Sequence, residues 1–258
     1  MQENSENNGF EIAIVGMGGR FPGANNIDEL WENLKNGVNS IRFFSKEELI
    51  EKSSVDPELI DNPNYVRAKG VIENVEYFDA YFFGYSPLEA ELMDPQLRVF
   101  YEVCWEVLED AGCDPSTYDG NIGVYSGGSG NRSWELLTAI TGKTDFFGGF
   151  AAGTMIDKDY LSTRISHKLD LTGPSLSMHT ACSTALVGVD LACRGLLTGQ
   201  CNAALVGGVS VLPETAKAGG YLYEEGLIHS ADGVVRAFDA GANGVVFSQG
   251  AAAVLLKR

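Results

Sequence analysis

The sequence is poor in positive charge and in long apolar runs. Its 258 residues include 18 lysines and arginines against 35 aspartates and glutamates, so the formal net charge is −17 at pH 7. This balance argues against nucleic acid or an anionic membrane surface as the main partner. No window approaches the roughly 18 consecutive apolar residues of a membrane-spanning helix. The start, MQENSENNG, lacks the features of a signal peptide, so we expect a cytoplasmic protein with a polar tail at 1–9.

Cysteines and histidines are also few. The five cysteines are odd in number and form no CxxC motif, and no histidine lies at a metal-ligand spacing from a cysteine. A disulfide framework, a zinc site or another bound cofactor is therefore not expected, and free thiols in a reducing compartment fit better. The cysteines are Cys104, Cys113, Cys182, Cys193 and Cys201, and the histidines are His167, His179 and His229.

Alternating strand and helix patterns predict a layered α/β fold whose sheet is covered by helices on both faces. Capping signals place helix starts after Asn26, Ser86 and Asp94, and the apolar stripe of the third helix ends at Gly112. Residues 43–83 lack a steady periodicity, which indicates a long surface excursion. The predicted strands are 10–18 (buried), 121–128, 175–181, 203–211 and one within 245–257, with further helices at 157–169 and after Cys182.

Two glycine-rich stretches invite comparison with nucleotide-binding loops. Gly16, Gly18 and Gly19 follow the first strand as in a dinucleotide fingerprint, but Phe21 occupies the third fingerprint position. We therefore expect these glycines to permit close packing of the backbone. The stretch SGGSG at 126–130 has no lysine of a phosphate-binding loop, so we interpret it as a turn.

Cys182 stands where a strand-like run changes into a helix-like run. A side chain at such a junction can point out of the end of the sheet, where α/β sheets bind ligands. The dipole of the following helix favours a thiolate over a thiol at its start. That helix has only Asp190 and Arg194 as charged residues before Gly199, which indicates a buried and rigid platform. Free cysteine is also a common inert core residue, so a nucleophile and a core residue both remain possible on this pattern.

The other cysteines and His179 have weaker support. Cys104 lies in a helix stripe and Cys193 lies in mid-helix, so both are expected in the core. His179 stands three residues before Cys182 and is a candidate general base. Positions 179 and 182 of an extended strand face opposite sides, however, so only a turn could bring the two side chains together.

The segment HTACSTALVGVDLAC, which contains Cys182, resembles the active-site segment of β-ketoacyl synthases, the condensing enzymes of fatty-acid and polyketide synthesis. The stretch EIAIVGMGGRFPGANNIDELWENLKNG resembles the opening of ketosynthase domains in modular polyketide synthases. Three more stretches are similar to ketosynthase segments: YFDAYFFGYSPLEAELMDPQLRVFYEVCWEVLEDAG, DKDYLSTRISHKLDLTGPS and RAFDAGANGVVFSQGAAAVLLKR. KAGGYLYEEGLIHSADG is most similar to ketosynthases of polyketide or mixed peptide–polyketide assembly lines. The resemblance covers nearly the whole chain.

The resemblance implies a thiolase-like fold built from two similar α/β halves. Residues 10–258 would be the first half, a β-ketoacyl synthase N-terminal domain with a five-stranded mixed sheet covered by helices. The family's two catalytic histidine motifs belong to the second half, which would be absent. His179 departs from the family pattern, since many relatives have an acidic residue there, and Gln249 stands where an acidic or small residue is common.

The resemblance also implies a reaction at Cys182, the one catalytic residue that it assigns to this chain. Cys182 would accept an acyl chain from the phosphopantetheine thiol of an acyl carrier protein. A malonyl-type extender would then lose carbon dioxide, and its carbanion would attack the thioester. The Cys182 amide and a donor from the second half would stabilise the oxyanion. Because the histidine pair would be missing, we expect the 258-residue chain by itself not to condense.

Partners and alternatives follow from the same resemblance. The implied partners are the acyl carrier protein, other modules of an assembly line, and a second copy of the chain paired through 175–181. One alternative is a ketosynthase that transfers an acyl chain without extending it. Another is a non-catalytic unit that serves only dimerisation or interaction.

Overall fold

The structure is a computed structural model that describes residues 9–213 and 217–258. The described chain forms two compact units, one of residues 9–19, 78–209 and 251–258, and one drawn from residues 20–77 and 210–250. Apart from its last residue, the polar tail predicted at 1–9 lies outside the described residues. In chain order the strands are β1 (Ala13–Arg20), β2 (Arg42–Phe43), β3 (Tyr65–Val66), β4 (Ala68–Lys69), β5 (Ile122–Gly128), β6 (Ser175–Ser177), β7 (Ala203–Ser210), β8 (Tyr221–Leu222) and β9 (Gly250–Lys257). The helices are α1 (Ile27–Lys35), α2 (Lys46–Lys52), α3 (Pro57–Ile60), α4 (Pro87–Leu92), α5 (Pro95–Asp110), α6 (Arg132–Ile140), α7 (Lys143–Phe147), α8 (Gly149–Ile156), α9 (Leu161–Lys168) and α10 (Thr184–Leu197).

The first unit contains a five-stranded sheet with the strand order β1-β9-β7-β5-β6. β5 runs parallel to both β6 and β7, with Val124 opposite Ser175 on one side and Leu205 on the other. The predicted five strands and the α/β class are confirmed. β6 is shorter than the predicted strand 175–181, because the chain leaves the sheet after Ser177.

Helices cover both faces of this sheet, as the alternation of elements predicted. Neighbouring residues of a strand point to opposite faces. In β7, Val206 lies beside Gly188 of α10, whereas a Cβ added at Gly207 would lie 2.9 Å from the Phe100 ring of α5. α5 and α10 therefore lie on opposite faces of β7.

α5 begins where the sequence predicted, directly after Asp94. The Asp94 side chain caps the helix by accepting a hydrogen bond from the Gln96 N–H at 2.8 Å, and the helix ends at Asp110. Its apolar stripe is buried against the sheet and so forms part of the core. The buried members of the stripe are Leu97, Phe100, Cys104, Val107 and Leu108.

The glycines of β1 allow α5 to approach the sheet closely. A Cβ at Gly16 would collide with the Val107 carbonyl oxygen, and one at Gly18 would lie 3.0 Å from Val107 Cγ2. Close backbone packing, expected of these glycines, is thus confirmed. The burial predicted for this strand is wrong in part, since Ile14 is 56% exposed. β1 is an edge strand whose buried residues are its glycines, so its larger side chains are left uncovered.

The second unit corrects the prediction for residues 43–83. Most of this stretch does not cross the surface but contributes to a separate core with residues from the other end of the chain. β3 pairs antiparallel with β8, and Tyr65 lies opposite Leu222. The elements are too short for a periodicity to show, so only the tertiary contacts reveal them. The buried core residues are Phe44, Leu49, Ile60, Tyr65, Val71 and Ala218.

Helices α6 to α8 are not predicted by the sequence pattern. Gly142 and Gly148 interrupt this region with φ values of +69° and +78°, which divides it into short helices. The helix predicted at 157–169 is confirmed as α9, preceded by a 3-10 turn at Lys158–Tyr160. Within 9–213 and 217–258, no helix is long and apolar enough to cross a membrane.

The start of α5 contains a buried carboxyl group. Asp94 is 4% exposed, and its Oδ1 accepts hydrogen bonds from the Gln96 N–H at 2.8 Å and from Asn131 Nδ2 at 3.0 Å. Burial disfavours the charged form and raises the pKa of Asp94 to about 6, although the hydrogen bonds oppose this. The folded protein therefore binds this proton more tightly than the unfolded chain, in which an aspartate titrates near pH ~3.9.

We expect Asp94 to make the folded protein less stable as the pH rises. The stability that its proton supplies is fully present below pH ~3.9 and is lost as the pH rises through about 6, the pKa of Asp94 in the folded state. Between pH 4.5 and 7.5 this loss should be on the order of 2 kcal/mol. The variant Asp94→Asn cannot titrate, so urea unfolding should show the wild type losing stability relative to the variant across this range. Parallel profiles for the two proteins would contradict the expectation.

Candidate active site at Cys182

Cys182 lies in a tight turn between the sheet and α10. After β6 the chain forms a 3-10 turn at Ala181–Ser183, and α10 starts at the next residue. The predicted junction of strand and helix is therefore present, and the Cys182 thiol is exposed. Ala181 has a φ of +54°, in the left-handed region that is unfavourable for an L-residue with a side chain. Backbone strain is thus located directly before the cysteine.

Hydrogen bonds within residues 180–184, the Cys182 turn, hold this conformation. The Thr180 N–H donates to Thr184 Oγ1 at 3.0 Å, and Thr184 Oγ1 donates to the Ala181 carbonyl at 2.8 Å. Ser183 Oγ donates to the Thr180 carbonyl, also at 2.8 Å. The Cys182 N–H donates to no described residue. It therefore remains able to donate to a ligand carbonyl.

The end of β5 lies directly against the Cys182 turn. The Met178 N–H donates to the Ser126 carbonyl at 2.9 Å. A Cβ at Gly127 would collide with the Met178 carbonyl oxygen and would lie 2.5 Å from Thr184 Cγ2. Only glycine fits at this point, so the backbone of β5 supports the turn. The stretch 126–130, interpreted as a turn from the sequence, is strand up to its third residue.

α10 packs on the sheet through small residues. Gly188, Ala192 and Gly195 are buried, and a Cβ at Gly188 would lie 2.9 Å from Met178 Cε. The prediction of a buried helix is wrong for its other side, where Leu186 is 77% exposed. The reason is that only one side of α10 meets the sheet of this chain.

The other four cysteines are less accessible than Cys182. Cys104 and Cys201 are buried, whereas Cys113 and Cys193 are partly buried. Burial raises the pKa of each of these four thiols and so disfavours the reactive thiolate. The core position expected for Cys104 is confirmed, and Cys193 packs at the margin of a buried cluster. Within the described chain, exposure therefore distinguishes Cys182 from the other thiols.

The three histidines lie in different surroundings. His179 Nε2 lies 3.0 Å from Asp159 Oδ1, so this side chain is paired with Asp159. His167 is exposed on α9. His229 stacks on Tyr221 in the second unit, with ring centroids 4.5 Å apart. The described residues contain no group of three or more His, Cys, Asp or Glu side chains that could hold a metal ion.

Gln249, the second departure from the family pattern, is buried in the second unit and is 4% exposed. Its backbone N–H donates to the Gly70 carbonyl at 2.9 Å, and its Oε1 lies 3.4 Å from the Ile72 N–H. The Gln249 side chain thus contacts the segment that follows β4. An apolar side chain at position 249 would give the Ile72 N–H no acceptor.

Sequence reasoning did not identify two residues that shape the site. Asp159 lies in the 3-10 turn before α9 and reaches His179 from a remote part of the sequence. Thr184 closes the Cys182 turn through its hydroxyl group. The sequence signal for both is weak, because an exposed aspartate and a threonine at a helix start are typical of any soluble protein.

The sequence matches a known family and several known proteins. The profile of the family described as "Beta-ketoacyl synthase, N-terminal domain" matches residues 10–258. The chain is 44% identical over 254 residues to a phenolphthiocerol/phthiocerol polyketide synthase protein of Mycobacterium tuberculosis, covering 95% of this chain and 17% of that protein. It is 41% identical over 248 residues to the polyketide synthase PksN of Bacillus subtilis, covering 96% of this chain and 4% of PksN.

The solved structures that this chain resembles are also ketosynthases of polyketide synthases. Ketosynthase twelve of the bacillaene polyketide synthase from Bacillus amyloliquefaciens superposes with a TM-score of 0.85 at 41% identity, covering 95% of this chain and 42% of that one. The ketosynthase from module 1 of the bacillaene synthase of the same species superposes with a TM-score of 0.79 at 38% identity, covering 96% and 42%. The thiolase-like fold is thereby confirmed. The chain spans less than half the length of each of these proteins.

Proposed function

Since this chain belongs to the β-ketoacyl synthase family as its N-terminal domain, we propose that Cys182 is the nucleophile of a condensing enzyme in polyketide synthesis. The observation that carries the proposal is the position of the thiol. It is exposed in a strained turn at the start of α10, while the other cysteines are withdrawn into the protein. A nucleophile needs this combination of access and fixed geometry.

The first step is the transfer of an acyl group between two sulfur atoms. The Cys182 sulfur attacks the carbonyl carbon of an acyl thioester on the phosphopantetheine arm of an acyl carrier protein. The oxyanion that forms accepts a hydrogen bond from the Cys182 N–H, which donates to no described residue. The bond to the carrier's sulfur then breaks, and that sulfur takes up the proton that Cys182 lost.

The second step forms a carbon–carbon bond. A malonyl-type extender on a carrier protein loses carbon dioxide, and the enolate attacks the carbonyl carbon of the Cys182 thioester. The Cys182 thiolate leaves and is ready for another cycle. Charge that develops on the enolate needs positioned donors, each commonly worth ~3–4 kcal/mol. Because His179 is paired with Asp159, we assign these donors to the second half of a ketosynthase.

The proposal includes a second copy of the chain as a partner. β6 is an outer strand of the sheet, and its Leu176 is 46% exposed. An uncovered strand edge with an apolar side chain is suited to pairing with another strand. We propose that two copies pair antiparallel through β6. The two sheets would then be continuous, with the Cys182 turns of the two copies on either side of the β6 pair.

The test uses the full-length protein that contains these residues. It is mixed with an acyl carrier protein bearing an acyl thioester and, in a parallel sample, with a malonyl carrier protein as well. We expect an acyl group on the Cys182 peptide by mass spectrometry, and carbon dioxide with a β-ketoacyl product only when both carriers are present. Sedimentation of the same sample should show a dimer.

Each departure from this result has a distinct meaning. If Cys182 is acylated but no carbon dioxide is released, the protein transfers acyl chains without extending them, and the proposed condensation is wrong. A protein that stays unacylated but dimeric would contradict the proposed chemistry and favour a dimerisation unit. A monomer at micromolar concentration would contradict pairing through β6.

A further inference from the structure

The Cys182 turn is closed by side chains of its own residues and supported by β5, and a further contact reaches the residue directly before it. The side-chain hydrogen bonds of Thr180, Ser183 and Thr184 all close within residues 180–184. The residue directly before the turn is different. His179 Nε2 lies 3.0 Å from Asp159 Oδ1, which belongs to another element of the same unit.

Asp159 is a well-anchored acceptor for this contact. It lies in the 3-10 turn Lys158–Tyr160, and its N–H donates to Asp157 Oδ1 at 2.9 Å. Lys158 Nζ lies 2.9 Å from the same Oδ1 that His179 approaches. The Lys158 hydrogen bond, together with the nearby charges, lowers the pKa of Asp159, so its carboxylate is ionised at neutral pH.

The backbone strain in the Cys182 turn is the reason that a contact at its entry matters. Ala181 holds a φ of +54° between His179 and Cys182. A strained conformation persists only where its surroundings determine it on several sides. Gly127 supports the turn from β5, and the contact of His179 with Asp159 holds the chain at the entry to the turn.

We propose that His179 is a positioning residue, which acts through Asp159 to hold the Cys182 sulfur in line for attack on the acyl thioester. The proposal rests on the proposed function of Cys182 and adds a role for a residue that departs from the family pattern. His179 does not take a proton from Cys182 in this scheme. Instead its Nε2, 3.0 Å from Asp159 Oδ1, pairs with the Asp159 carboxylate, and the orientation of the turn follows from that contact.

The test is a double-mutant cycle in the full-length protein, with His179→Ala, Asp159→Ala and the double variant. We expect each single variant to reduce the rate of acyl loading about tenfold and the double variant to lose no more than either single one. His179→Gln should restore most of the rate, because the glutamine Nε2 can donate from nearly the same place. Alkylation by iodoacetamide, a small reagent that needs little alignment, should change less than twofold in all variants.

The matched control is another exposed ion pair, on the helix that follows the turn. Arg194 Nε lies 2.9 Å from Asp190 Oδ2 on α10, at positions beyond the turn. Arg194→Ala should leave acyl loading unchanged. If His179→Ala does not fold, the loss of acyl loading is measured in Asp159→Ala instead. The Asp159 side chain is 63% exposed on a turn, so its truncation should leave the fold intact.

Three outcomes would overturn the proposal: unchanged loading in the alanine variants, losses that multiply in the double variant, or a glutamine variant as slow as alanine. These differ from a failure of the proposed function. In that case the wild-type protein itself would take up no acyl group on Cys182, while iodoacetamide would still label it.

Discussion

Replacing Cys182 by alanine is expected to abolish acyl transfer, with a loss of at least ~10³-fold in the rate of loading. Alanine keeps the size of the turn nearly unchanged but has no sulfur to form the thioester. The thiol is exposed, so its removal leaves no cavity in the core, and the melting temperature should stay within a few degrees of the wild type. Mass spectrometry of the protein after exposure to an acyl carrier thioester measures the effect.

Labelling provides the control for this substitution. Brief treatment of the folded protein with iodoacetamide, followed by peptide mapping, should modify Cys182 first. The variant Cys193→Ala removes a partly buried thiol from α10, the helix that follows the turn, and should keep both the labelling and the acyl loading. The assignment would be wrong if Cys113 or Cys193 were labelled ahead of Cys182, or if the Cys182→Ala variant still formed an acyl-enzyme.

Replacing Gly127 by valine should damage both the fold and the acyl loading. A Cβ at this position already overlaps the Met178 carbonyl oxygen and lies 2.5 Å from Thr184 Cγ2, and valine adds two further methyl groups. Because Met178 O belongs to the backbone, no rotation of a side chain relieves the collision. We expect a loss of about 3 kcal/mol in the free energy of unfolding. Acyl loading should fall as well, since the Cys182 turn must move.

Gly130, three residues further on, is the matched control. A Cβ there would meet no atom within 4 Å. Gly130→Ala should therefore keep both the stability and the acyl loading close to those of the wild type. Urea unfolding and the loading assay measure both variants side by side. A Gly127→Val protein with unchanged stability and activity would show that β5 does not support the turn.

The sheet and the place of Cys182 were predictable because they depend on local patterns. A strand-like run, a cysteine and an uncharged helix start follow one another at Ser175–Leu197, and each of these signals lies within a few residues. Glycines that allow two segments to approach closely can also be predicted from the sequence. Gly16 and Gly18 were expected to permit packing, and they do so against Val107.

The second unit was not predictable for a physical reason. β3 and β8 have two residues each, too few to display an alternation, and they stabilise each other only as a pair. The burial of β1 and α10 was also overestimated, because it was predicted from their apolar residues alone. An apolar side chain in a strand or helix does not by itself show that the side chain is buried, because much of the surface of a folded protein is apolar.

The amino-acid sequence by itself determined the α/β class, the family and the position of Cys182 at the start of a helix. Each of these depends on the order of residue types along the chain. Only the tertiary structure decided that Ala181 adopts a left-handed conformation, that β5 approaches the turn at Gly127, and that His179 bonds to Asp159. The last two features join segments that lie far apart in the sequence, and a left-handed alanine goes against its local preference, so packing rather than local pattern sets all three.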